Sequence, residues 1–270
     1  MSELLSGRLV RGTSVGAGAS TVLAWADVEP IEGGLVLPRG LGQMASASRL
    51  RLTIRGGIDA PGWLRLRTGT VPVVHPDSGR LMGHSARWWH PEYVAAWAAL
   101  QGRLATALDG DDRVAEVTLG CPLAGTGDAF ARWAQLPLNR QSYVLAGWDE
   151  TADWDATTTM IRGQAAAWGQ TTQTLWVASR EEMSLAGVRS HMEPVLALAE
   201  SLAEAMGERL LLGAARRLPP SADFAAPLAR LADATGPRAA VSAAGNEPGW
   251  QSVYAAAGID LTSVEHSPTV

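Results

Sequence analysis

The sequence predicts an α/β protein whose strands close into a (β/α)8 barrel of TIM type, irregular in its first third. Three observations predict it. From about residue 85 onward, short apolar segments alternate with amphipathic helical ones. Eight candidate strands fall within 270 residues, the arithmetic of an eightfold strand–helix repeat. No internal repeat or low-complexity linker divides the chain, so one domain over residues 1–270 is expected. Apolar strands separated by helices pair in parallel through right-handed crossovers. An open doubly wound sheet is the competing architecture.

The first strands are read at Leu9 to Arg11, Val22 to Trp25 and Leu50 to Ile54. Only Gly12 to Ser20 separates the first two, too short for a covering helix. Trp63 to Trp89, with Pro72 and Pro76, reads as a long irregular loop, the place where barrels put binding surface. His90-Pro91-Glu92 then opens a helix, because proline suits the first helical position and an acid suits the positive end. Tyr93, Trp97, Leu100, Leu104 and Leu108 give that helix one apolar stripe. Asp109 to Asp112 breaks it as a solvated turn, and Val114 to Leu119 is the fourth strand.

A second helix is expected to begin near Asp153 as its cap, with Trp154, Ile161, Ala165 and Trp168 on one side. Leu175 to Ala178 is the next strand. A helix over about 190 to 206 stops at Gly207, and the strand Arg209 to Leu212 follows. Ser221 caps a further helix closed by Gly236. Ala239 to Ser242 is a strand, Gly249 to Ala257 a short helix, and Ile259 to Val264 the last strand.

Composition removes several chemistries. The 22 basic residues are all arginine, so no lysine is present to form a Schiff base, hold pyridoxal phosphate or serve a P-loop. A net charge of −5 without a basic run argues against nucleic acid. Cys121 stands alone, which precludes an intrachain disulfide. No apolar run reaches the length of a membrane span, and the N-terminus lacks a secretory core, so a cytoplasmic or virion location is expected. No cofactor and no metal is expected: His75, His84 and His90 share a loop, but their spacing matches no zinc pattern.

Two motifs are set aside on local context. Gly12-Thr13-Ser14-Val15-Gly16 matches a nucleophile elbow, yet it runs into a strand where the elbow needs a helix. Gly40-Leu41-Gly42-Gln43-Met44-Ala45 resembles a dinucleotide loop without room for the helix behind it. Cys121-Pro122 has no basic sequence neighbour to favour a thiolate and reads as a buried, inert thiol.

The most informative segment is Trp25-Ala26-Asp27-Val28-Glu29-Pro30-Ile31-Glu32-Gly33-Gly34. Leu50 to Arg55 with Ala60-Pro61-Gly62-Trp63-Leu64 follows, then His90-Pro91-Glu92-Tyr93 to Trp97 with Asp109-Gly110-Asp111-Asp112-Arg113-Val114, and finally Gly258 to Glu265. In this order the segments resemble the TIM-barrel glycoside hydrolases of the clan-A type. The resemblance covers most of the chain. It implies an Asn-Glu acid/base after strand four and a glutamate nucleophile after strand seven. Here strand four ends Leu119-Gly120-Cys121-Pro122, with Asp128 the nearest following acid, so the catalytic motif is incomplete. Strand seven is followed by Ala243-Ala244-Gly245-Asn246-Glu247.

Glycoside hydrolysis needs two carboxyl groups roughly 5 to 10 Å apart. Glu247, Glu265 and Asp128 are the catalytic candidates, and which two pair is open; Glu29 is read as structural. Trp63, Trp88, Trp89, Trp148 and Trp250 are substrate-binding candidates, with Arg55 at the end of strand three placed to bind hydroxyls or a carboxylate. For the indoles two readings stand: stacking on sugar rings, or lidding the barrel top.

The functional expectation is a glycoside-hydrolase-like barrel that cleaves or binds a poly- or oligosaccharide at its C-terminal face. The alternative is an inactive carbohydrate-binding or structural barrel, for example a phage minor tail component contacting an actinobacterial envelope, in a homo-oligomer or larger assembly. An unrelated α/β-barrel enzyme using a metal or phosphate finds no ligand set.

Overall fold

Strand-forming and helix-forming stretches alternate along the chain as their periodicity requires, and the strands meet in one ring. The computed structural model describes residues 8–11, 18–37, 49–121, 129–176, 180–184, 187–216, 238–244 and 260–267. In chain order the elements are β1 (Arg8–Arg11), β2 (Gly18–Ala24), α1 (Trp25–Val28), β3 (Arg49–Arg55), α2 (Gly62–Thr68), β4 (Thr70–Val74), β5 (Leu81–Ala86) and α3 (Pro91–Leu108). Then come β6 (Val114–Thr118), α4 (Pro137–Leu145), α5 (Glu150–Ala167), β7 (Thr172–Trp176), β8 (Arg180–Ser184), β9 (Gly187–His191) and α6 (Glu193–Met206). β10 (Leu210–Arg216), β11 (Arg238–Ala244) and β12 (Asp260–Ser267) complete the described elements.

Eight strands form a closed barrel in the order β1-β12-β11-β10-β7-β6-β3-β2. Each neighbouring pair is parallel, and β1 closes the ring by pairing with both β12 and β2. The open sheet is thereby excluded. The two remaining strand pairs, β4–β5 and β8–β9, are antiparallel hairpins outside the ring.

Alternation along β3 decides what fills the ring. Leu52 and Ile54 join Val117 of β6 and Trp97, Leu100 and Leu104 of α3 in the core between barrel and helices. A second core joins Leu175, Leu210 and Leu212 to Val195, Leu198 and Leu202 of α6 and to Ile161 of α5. Each such side chain contributes about 1.5–3 kcal/mol by leaving water.

The residues between these on β3 face the lumen. Arg51 forms a buried ion pair with Glu116, at 2.7 Å. Thr174 donates to the same carboxylate at 3.1 Å, and the Thr53 and Thr118 hydroxyls meet at 2.7 Å. Barrels of this type are ordinarily filled by branched apolar side chains. This sector of the lumen is polar instead.

Local signals explain the helix ends. His90 caps α3 by accepting the Glu92 N–H, with Pro91 in the first turn. α5 begins at Glu150, capped by Asp149 accepting from Ala152, rather than at Asp153; Asp153 is buried in the first turn and engaged in an ion pair. Gly207, at φ 57°, ends α6. Trp25, read as the end of a strand, is instead the first residue of α1. The stretch from Trp63 to Trp89 is also more ordered than its prolines suggest, holding α2 and the β4–β5 hairpin.

Opposite the carboxyl ends of the strands, Asp109 fastens the turn into β7. Its carboxylate accepts from the Gly169, Gln170 and Thr171 backbone N–H groups and from the Thr171 hydroxyl. No helix among the described residues is long and apolar enough to cross a membrane. The helices read over 221–236 and 249–257, the elbow at Ser14 and the glycine loop 40–45 lie outside the described residues.

Candidate functional site at the carboxyl ends of the strands

Parallel pairing brings the carboxyl ends of β2, β3 and β6 side by side, and the chain leaving each end is built differently. After β2, the short helix α1 delivers Glu29 into full burial. Its carboxylate accepts from Trp25 Nε1 at 2.8 Å and Gly33 N at 2.7 Å, and it pairs with Arg103. All of these bonds stabilise the turn, so Glu29 is structural, as its sequence context suggested.

After β3, the chain passes through Gly56 and Gly57. Arg55, at the strand's last position, pairs with Asp59 four residues on, and both side chains remain partly exposed (32% and 22%). Asp59 was not among the sequence candidates; the i, i+4 spacing to Arg55 was the signal that could have found it. The pair sets a guanidinium and a carboxylate side by side at the rim, a donor and acceptor set suited to hydroxyl groups.

After β6, Leu119, Gly120 and Cys121 are all buried. Gln164 of α5 holds this end by accepting from Gly120 N at 2.9 Å and donating to the Thr118 carbonyl at 2.8 Å. The Cys121 sulfur lies 2.9 Å from the Tyr93 hydroxyl, which accepts from Gly57 N at 2.8 Å. A Cβ at Gly56 would come within 2.2 Å of this sulfur and 2.3 Å of the hydroxyl, so only glycine allows the approach. Burial pushes the Cys121 thiol up to about 12 and the Tyr93 phenol well above its ordinary range. Both are neutral at pH 7. Cys121 is therefore the inert thiol expected from sequence, and residues 119–121 supply no proton-exchanging group.

The indoles divide. Trp88 is buried, donates to Asp153, and packs edge-on against Trp89 and Tyr143 with Arg132 over its ring at 5.0 Å. Trp89 and Trp148 are buried as well. These three rings have no free face for a sugar, and the packing reading holds for them. Trp63 is half-buried: it meets Trp25 edge-on, donates to the Glu29 carbonyl at 3.3 Å and carries Arg67 over its ring at 5.5 Å. Asp128, Glu247 and Trp250 lie outside the described residues. The Glu265 backbone pairs with Ser242 and Leu9 near the carboxyl end of β12, and its side chain is not among those described.

His90 serves as the α3 cap, and His75 accepts from two N–H groups of its own turn. Among the described residues no three metal-ligating side chains gather.

No protein-family model matches the sequence, and no curated protein matches it. Solved structures do overlap it. The catalytic domain of β-amylase from Paenibacillus polymyxa superposes with a TM-score of 0.56 at 11% identity, covering 93% of this chain and 84% of that one. A cold-adapted β-galactosidase from Rahnella sp. R3 superposes with a TM-score of 0.50 at 12% identity, covering 92% of this chain. This chain spans 45% of the length of that β-galactosidase. Endo-glycoceramidase II from Rhodococcus sp. overlaps less, with a TM-score of 0.45 at 13% identity over 93% of this chain and 64% of that one. At such identities likeness speaks for fold alone: the chain has the TIM-barrel architecture that the β-amylase domain and the β-galactosidase also have.

Proposed function

We propose that this chain is a glycan-binding barrel of the glycosidase type, which holds a poly- or oligosaccharide at the carboxyl ends of its strands without hydrolysing it. The observation that carries the reading is the closed end of β6. The described residues that directly follow β6, Leu119 to Cys121, bring no carboxylate and end in a buried contact of Cys121 with Tyr93, whose hydroxyl also accepts from Gly57 N. Binding is supported by the partly exposed Arg55–Asp59 pair on the same rim, and by fold overlap with a β-amylase and a β-galactosidase. Fold alone does not fix chemistry, so the rim has to be tested directly.

The rival is hydrolysis by two of Glu247, Glu265 and Asp128. Wild-type protein and the variants Glu247→Gln and Glu265→Gln are incubated with aryl glycosides and cell-wall polysaccharides, with binding and turnover both recorded. Binding without turnover that survives both substitutions is the expected result. Turnover abolished by either substitution would overturn the non-hydrolytic reading, and absence of binding would overturn the glycan reading itself.

A further inference from the structure

Trp133 is the one non-glycine residue among those described with a positive φ, 52°. A bulky side chain there is costly and persists only where its surroundings over-determine it. The surroundings do so here. Arg132 is locked by its buried ion pair to Asp153 at 3.0 Å and by a bond to Thr157 at 2.8 Å, and its carbonyl accepts the Tyr143 hydroxyl at 3.1 Å. The Trp133 carbonyl accepts from Asn139 Nδ2 at 3.1 Å and Leu136 N at 3.3 Å. Asn139 also clamps the β4–β5 hairpin, accepting from Val74 N at 2.7 Å and donating to Val74 O at 2.9 Å.

These anchors hold the half-buried Trp133 ring beside the half-buried ring of His75, with centroids 5.7 Å apart and planes tilted by 56°. Nδ1 of His75 faces the Asp77 and Ser78 N–H groups at 3.2 and 3.4 Å and so acts as an acceptor. An Nδ1 that accepts leaves Nε2 as the ring nitrogen able to donate. Trp133 adds its indole N–H. The two rings come from the connections that leave the carboxyl ends of β3 and β6, the face on which barrels of this type bind ligands.

We propose that Trp133 and His75 form a platform on which one pyranose ring of a bound glycan stacks, its C–H face on the indole and its hydroxyls on the two ring N–H donors. The proposal rests on the glycan reading above and gives it a subsite that the candidate indoles did not include. A purely apolar occupant would leave both donors unmatched; a sugar satisfies face and edge together.

The test is isothermal titration of the full chain with cellohexaose, xylohexaose, chitohexaose and maltohexaose, using wild type, Trp133→Gly and His75→Ala, with a thermal melt of each. Glycine accepts φ 52° without strain, so Trp133→Gly removes the ring while relieving the backbone. Whichever hexasaccharide wild type binds, Trp133→Gly is expected to bind about tenfold more weakly, the loss of one ring face of buried apolar area. His75→Ala is expected to weaken binding several-fold at an unchanged melting temperature, and it decides the matter alone should Trp133→Gly not fold. Wild-type affinity in a folded variant overturns the platform and leaves the glycan reading standing. Wild-type protein that binds none of the four overturns the platform as a pyranose subsite, while the glycan reading is decided separately by the polysaccharide binding described above.

Discussion

Replacing Arg51 by methionine probes the polar lumen at its most exposed weakness. Arg51 and Glu116 are buried to 1% and 0% side-chain exposure, with both Nε and a terminal guanidinium nitrogen 2.7 Å from Oε2. The other oxygen, Oε1 of Glu116, is buried without a hydrogen-bond partner, so Arg51 and the Thr174 hydroxyl provide the compensation of that carboxylate. Removing one member of a buried pair costs about 3–5 kcal/mol, because the remaining charge stays desolvated. That is a large part of the roughly 5–15 kcal/mol by which domains are stable. At about 2–4 °C per kcal/mol for a chain of this size, the melting temperature falls by about 6–20 °C. The assay is urea unfolding with parallel thermal melts of Arg51→Met, Glu116→Leu and the double variant. The double variant, whose two side chains are apolar and similar in volume, is expected to recover most of the loss, less about 1 kcal/mol for the stranded Thr174 hydroxyl. A single variant costing under about 1 kcal/mol, or a double variant as destabilised as the sum of the singles, would refute the reasoning.

Other consequences follow from the two ends of the barrel. Cys121 is expected to resist alkylation by iodoacetamide at pH 8 in the native protein and to react on unfolding, which mass spectrometry reads directly. Because folding raises the Cys121 thiol from its ordinary 9.0 to about 12, its contribution to stability is complete below pH 9 and lost as pH rises toward 12. Tyr93, shifted the same way, adds to this loss, so urea midpoints are expected to fall across that alkaline range and to hold between pH 6 and 8. Gly56→Ala forces a Cβ against the Cys121 sulfur and the Tyr93 hydroxyl, and is expected to cost about 1–3 kcal/mol in chemical denaturation. Asp109→Ala strands the N–H groups of Gly169 to Thr171 and is expected to lower stability by about 1–2 kcal/mol. Glycan affinity is expected to be unchanged in Asp109→Ala, since that clasp lies at the opposite pole.

The barrel was legible because its strands carry their own evidence. All eight ring strands were read at or near their positions, down to Leu9–Arg11, because β-branched and apolar runs bounded by glycine and acidic turns have few other uses. The hairpin β4–β5 was missed because Pro72 reads as a strand breaker, whereas a two-stranded ribbon tolerates it. α4 was missed because it is a short helix of nine residues that buries only Asn139 and Tyr143, which gives no sustained apolar stripe. The site was far less legible. Trp88 looks like a sugar platform in sequence, and only its partner Asp153, 65 residues away, reveals it as core. The polar lumen was not legible either: the alternation from Leu50 to Arg55 shows one apolar and one polar face, but barrels ordinarily fill with branched apolar side chains, so the pattern alone does not say which face turns inward. The strain at Trp133 leaves no trace in sequence, since no neighbouring residue type demands a positive φ.

Hydrogen–deuterium exchange with and without a bound hexasaccharide tests the central claim, that ligand sits at the carboxyl ends of the parallel strands. Protection gained at residues 55–60 and 129–136 is the expected result. Protection confined to residues 109–113 and 168–171, at the Asp109 pole, would contradict it.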